Sequence, residues 1–179
     1  PSSTLYGSEA VAGVINIITK NPKDQPFLAL DIQGTSHKES FINLALTPNI
    51  GKSYGYFGVN WDRKSDYDDY NNDGFGDDIN LSRFSIFNKW NIYRESKKEF
   101  IISARYYFED RRNGVKEYLS NNNYKKIRGD SQVYGESIYT NRFELFGKYE
   151  FDFTDGFEVN YSLPLIHISE PTRPYWISY

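Results

Sequence analysis

Between Tyr139 and Phe153 the chain reads YTNRFELFGKYEFDF, and alternate residues belong to two different chemistries. Tyr139, Phe143, Leu145, Tyr149, Phe151 and Phe153 take odd positions, whereas Arg142, Glu144, Lys148, Glu150 and Asp152 take even ones, with Phe146 the exception. Successive side chains of an extended strand point to opposite faces, so this segment predicts a long strand with one apolar and one charged face. A helix would scatter the same residues around its circumference.

Six other segments carry the same period. Leu28, Leu30 and Ile32 alternate with Ala29, Asp31 and Gln33, and Ile42, Leu44 and Leu46 with Asn43, Ala45 and Thr47. Phe57, Val59 and Trp61 face away from Tyr56, Asn60 and Asp62; Phe84, Ile86 and Trp90 oppose Ser85 and Lys89. Phe100, Ile102, Ala104, Tyr106 and Phe108 oppose Ser103, Arg105 and Glu109, and Phe157, Val159 and Tyr161 oppose Glu158 and Asn160. The polar breaks have a rhythm of their own. After the first hairpin, the long stretches 64–80 and 110–137 alternate with the short ones 48–53, 94–99 and 154–156, which in an up-and-down meander gathers the long loops at one end.

Composition fits strands rather than an aliphatic core. Aromatic residues reach 18%, with 16 Tyr and 13 Phe, and Met is absent, yet mean hydropathy is -0.68. The rings are therefore set among polar residues. A net charge of -3 without any basic block argues against a nucleic-acid partner. The absence of Cys excludes disulfides, thiolate metal sites and Cys nucleophiles, and suits an exported protein. No apolar run approaches the ~18 residues of a transmembrane helix, which leaves a β-barrel open because its strands are short and alternating.

Two all-β readings follow. One is a soluble sandwich or small barrel with one buried face per strand. The other is a transmembrane barrel, favoured by strand length, by aromatics near strand ends (Tyr54, Trp61, Trp90, Tyr93, Tyr149 and Phe151 among them), and by many charges on the second face.

The opening stretch SSTLYGSEAVAGVINIITKNP bears on that choice. Gly7 and Gly13 supply turns or close backbone approach, and Val14 to Ile18 read as a β-branched strand. Leu5, Tyr6, Gly7, Ala10, Gly13, Val14, Ile15, Asn16, Ile17 and Ile18, with Thr19 and Lys20, resemble position by position the end of the plug domain in TonB-dependent outer-membrane receptors. The resemblance implies an all-β fragment: residues 1–22 as the end of a plug, and residues 23–162 as the first strands of an antiparallel transmembrane β-barrel. Those strands would be about 7 of the roughly 22 in such a barrel. It further implies a transporter, not an enzyme, in the outer membrane of a Gram-negative bacterium, taking up a scarce nutrient such as a siderophore, haem or cobalamin. Its partners would be outer-membrane lipid, the nutrient ligand and the TonB–ExbB–ExbD energy-coupling complex, with no cofactor required. The alternatives are a passive porin-like barrel and a secreted carbohydrate-binding β-sandwich.

Three sets of residues are candidate sites. Asp69, Asn71, Asp73 and Asp77 match the start of a calcium loop, D-x-[DN]-x-[DN]-G, although Asn80 stands where a bidentate Glu is expected. A solvated acidic turn is the competing expectation. Tyr118 and Tyr124 sit in a long polar loop and are candidates for gripping a bulky ligand. Arg105, Arg142, Glu144 and Lys148 share the charged face, where they line a ligand path or solvate it. No nucleophile motif or phosphate-binding glycine loop occurs, and the two His residues, His37 and His167, stand apart.

After Tyr161 the alternation fails. Pro164, Pro171 and Pro174 argue against a further strand. PLIHISEPTRP resembles a translated sequencing adapter, so 163–179 is expected to be a non-native tail.

Overall fold

The computed structural model describes residues 22–65, 67–127, 130–154 and 157–169, with side chains as far as Phe151. The segment Leu5–Ile18, on which the plug resemblance rests, lies outside the described residues.

A 3-10 turn at Pro22–Asp24 leads into β1 (Leu28–Gly34), β2 (Glu39–Leu46), the two-residue β3 (Asn49–Ile50), β4 (Ser53–Lys64), β5 (Asn80–Asn91) and β6 (Phe100–Gly114). A short helix, α1 (Lys116–Ser120), and a second 3-10 turn (Tyr124–Lys126) precede β7 (Gly135–Thr154) and β8 (Phe157–Ser169). All eight strands belong to one sheet in the order β1-β2-β4-β5-β6-β7-β8, with β3 pairing β4, and every pairing is antiparallel. Each segment of alternating sequence lies in a strand, and the long connections after β4 and β6 leave from the same end of the meander.

The expected transmembrane barrel is not what forms. β1 and β8 end the strand order and do not pair with each other, so the sheet is open. Closure requires a last strand that bonds to the first with a matching shear. Alternation sets only which side chains share a face, and it is identical in open and closed sheets. The outer-membrane location falls with the barrel, because unpaired strand edges do not occur facing hydrocarbon. Among the described residues no helix is long and apolar enough to cross a membrane, which says nothing of strands.

The expected break after Tyr161 is also corrected. β8 continues to Ser169, with Pro164 opposite Phe146. An edge strand tolerates proline because one side of it needs no ladder hydrogen bonds.

The register sorts the two faces cleanly. Leu30, Leu44, Val59, Ile86, Tyr106 and Phe143 form one cross-strand row, and Asp31, Asn43, Asn60, Ser85, Tyr107 and Arg142 form the next row on the opposite face. The apolar face is uncovered within the described residues: Leu30 is 54% and Ile32 70% exposed. The buried cluster lies elsewhere, at the long-loop end, where Tyr118, Leu119 and Tyr124 pack with Tyr67, Val115, Ile127 and Val133.

Candidate ligand-binding site

The polar face carries a cleft of about 670 Å³ that reaches from the Pro22–Pro26 segment to β7. Its floor is a row of small residues, Ala29 on β1, Ala45 on β2 and Gly58 on β4, directly opposite one another. Side chains of this size leave a hollow where larger ones would fill it. Tyr56, two residues before Gly58, lies across it; a Cβ on Gly58 would stand 3.0 Å from Tyr56 Cε1. Phe87 is the β5 residue opposite Gly58, and the two rings sit 5.9 Å apart at 52°. One wall is pinned by Thr47, whose hydroxyl donates to the Pro26 carbonyl at 2.9 Å while its N–H donates to Phe27 O at 2.9 Å.

Polar groups fill the remainder. Asn43 Nδ2 donates to Asp31 at 3.2 Å, and Asn60 Nδ2 donates to Asn43 Oδ1 at 2.6 Å, a side-chain ladder across three strands. Along the Ala29–Ala45–Gly58–Phe87 row the next residues are Arg105 on β6 and Glu144 on β7, in direct register. Glu144 turns instead to Arg142, whose Nε lies 2.7 Å from Oε1. That pair is close but poorly aligned, since buried Nε makes no hydrogen bond. Arg105 contacts the Tyr107 ring at 5.6 Å, and no carboxylate among the described residues pairs with it.

A second hollow of about 220 Å³ adjoins the first, sharing Asn60, Ser85 and Arg105 with it and adding Asp62, Arg83 and Tyr107. Beneath it lies a charged network. Arg83 Nε donates to Glu109 Oε2 at 2.9 Å, Tyr107 donates its hydroxyl proton to the same oxygen, and Asp62 stands 3.5 Å from Arg83. Burial pushes the Glu109 carboxyl up, but the Tyr107 and Arg83 hydrogen bonds and the Arg83 and Arg111 charges prevail and hold it below the usual carboxylate range. Burial and the bond to Glu109 push the Tyr107 hydroxyl up.

The other sequence candidates fare differently. Tyr118 is wholly buried and donates to Ser137 Oγ at 3.0 Å; Tyr124 is 3% exposed and donates to Asp110 at 2.9 Å. Both are core of the loop cluster rather than groups turned to a ligand. In the acidic loop the oxygens bind backbone. Asp69 accepts from the N–H groups of Asp73 and Gly74, Asn71 from Asp73, Asp73 from Phe75, and Asp77 from Tyr70, at 2.8–3.1 Å. This is the chemistry of Asx turns. Among the described residues no three His, Asp or Glu are grouped so as to hold a metal. Of the charged-face set, Arg105, Arg142 and Glu144 come together, while Lys148 pairs with Glu99. Sequence reading missed the Tyr56–Phe87 platform, since no local signal places residues of two strands across a glycine.

No family model, no curated protein and no solved structure matches this chain. The expected membership of the TonB-dependent receptors is therefore not upheld, and with the sheet open it is withdrawn, together with plug, energy-coupled transport and nutrient uptake.

Proposed function

We propose that this chain is a non-catalytic binding module that takes a carbohydrate on the polar face of its sheet. The observation that carries this reading is the Tyr56–Phe87 pair tilted over a floor of Ala29, Ala45 and Gly58, with Asn60, Arg105 and Glu144 alongside. A sugar ring offers an apolar face of C–H groups, which suits an aromatic platform, and a rim of hydroxyls, which needs paired donors and acceptors. The cleft volume falls within the ~300–1,000 Å³ of small-molecule sites. The open sheet favours this reading over a porin-like barrel, and a second sheet is not required, because the sheet and the Pro22–Pro26 segment beside it line the cleft.

Isothermal titration with soluble oligomers of glucose, mannose, xylose and galacturonate tests the proposal. At least one series is expected to bind, with Tyr56→Ala and Phe87→Ala each weakening it tenfold or more at unchanged circular dichroism. Absence of binding across the panel, or binding indifferent to both substitutions, refutes it.

A further inference from the structure

We infer that the carbohydrate is an anionic one, and that Arg105 is the residue that receives its negative group. This rests on the carbohydrate reading above and names the ligand class within it. The guanidiniums around the two hollows are otherwise engaged: Arg83 with Glu109 and Asp62, and Arg142 with Glu144. Arg105 lines both hollows, lies 5.6 Å from the Tyr107 ring, and pairs with no carboxylate among the described residues. Its register partner, Glu144, is turned to Arg142. Glu144 is the sole carboxylate among the described lining residues of the cleft, and Asp62, on the second hollow, faces Arg83.

A guanidinium presents planar N–H donors that match a carboxylate, sulfate or phosphate in two-point contact, and it does so best where water is partly displaced. Arg105 stands one strand from the aromatic platform, as its register opposite Phe87 requires. A ligand ring stacked on Tyr56 and Phe87 therefore directs a neighbouring acidic substituent toward the place where the hollows meet. A neutral sugar leaves the guanidinium without a partner.

Titration of the wild-type chain with galacturonate oligomers, sulfated galactan oligomers and neutral galactose oligomers of equal length tests this. Binding of an acidic series is expected to be at least tenfold tighter than the neutral one and to weaken as salt rises. The arm that binds tighter identifies carboxylate or sulfate as the group received. Arg105→Gln should erase the acidic preference, bringing acidic and neutral affinities within about twofold of each other, and Arg105→Lys should restore only part of it. Equal affinities for acidic and neutral oligomers, or an acidic preference that survives Arg105→Gln, overturns the inference. If neutral oligomers still bind and depend on Tyr56, the carbohydrate reading stands without it; if no oligomer binds, both fall.

Discussion

Replacing Gly135 with alanine places a methyl group inside another side chain. A Cβ built there would lie 2.1 Å from Cγ and Cδ1 of Tyr118, where carbon atoms at rest are ~3.5–4.0 Å apart. The ring has little freedom to retreat. It is wholly buried, its edge meets Tyr124 at 5.7 Å and 70°, and its hydroxyl is held by Ser137. Overfilling a packed site costs about 1–3 kcal/mol, and a required shift of more than an ångström puts this one at about 3. Truncating Tyr118 to alanine removes the obstacle, at its own cost of ~3–5 kcal/mol for a large aromatic. In the Tyr118→Ala background, Gly135→Ala should therefore cost no more than about 0.5 kcal/mol, giving a coupling of ~2–3 kcal/mol between the sites. Hydrogen exchange reads this locally, because the Leu119 amide donates to Val115 O and the Ile127 amide to Tyr124 O within the cluster. At about 1.4 kcal/mol per tenfold, Gly135→Ala should speed their exchange roughly a hundredfold, while amides in the middle of β5 keep their rates. Equal penalties in the two backgrounds would mean that Tyr118 is not packed on Gly135, and the loop core would be wrong.

Two other consequences are accessible to simpler measurements. Glu109 has a folded pKa below its unfolded value of about 4.3, so its stabilisation is complete above that pH and disappears as pH falls through the lowered value. Glu109→Gln should cost about 1–2 kcal/mol in urea titrations at pH 7, with the gap to wild type closing below about pH 4; a gap constant from pH 7 to 3 contradicts the network. In the acidic loop, Asp69→Ala should destabilise by about 1 kcal/mol through loss of its bonds to the Asp73 and Gly74 amides, and millimolar calcium should leave the wild-type melting midpoint unchanged. A calcium-dependent rise in that midpoint would show instead that these oxygens serve an ion.

The strands were legible because their signal is local. Tyr106 and Tyr107 are adjacent and alike, yet parity alone sends Tyr106 to the row of Val59 and Ile86 and Tyr107 to the row of Asn60 and Ser85. Closure was not legible, since alternation carries no mark of what the outer edges of β1 and β8 pair with. The loop core was hidden for another reason. Tyr118, Leu119 and Tyr124 are scattered among Lys, Glu and Asn, a composition that reads as solvated loop, and their burial arises only when the β6 and β7 ends bring Gly114 opposite Gly135. Arg105 and Glu144 were each legible as charges on the correct face, but their being opposite, and Glu144 being drawn away, are facts of register.

That register also explains why charges resembling loose, solvated groups suit a binding face. An arginine on an exposed sheet is ordinarily mobile, and a mobile receptor loses affinity to the ordering of its side chain. Here the residues flanking Arg105 are tied down by others: Tyr107 is held by Glu109, Glu109 by Arg83, and Arg83 sits between carboxylates on β4 and β6. Asn60 is fixed from the other side by Asn43 and Asp31. The network thus sets the positions of the Tyr107 ring, near which Arg105 lies, and of the Asn60 amide that lines the same hollow. Glu109→Gln should accordingly weaken binding of acidic oligomers even though Glu109 does not line either hollow, and should do so at pH 7 while the sheet stays folded. Unchanged affinity in that variant would show that Arg105 is ordered by the ligand itself rather than in advance of it.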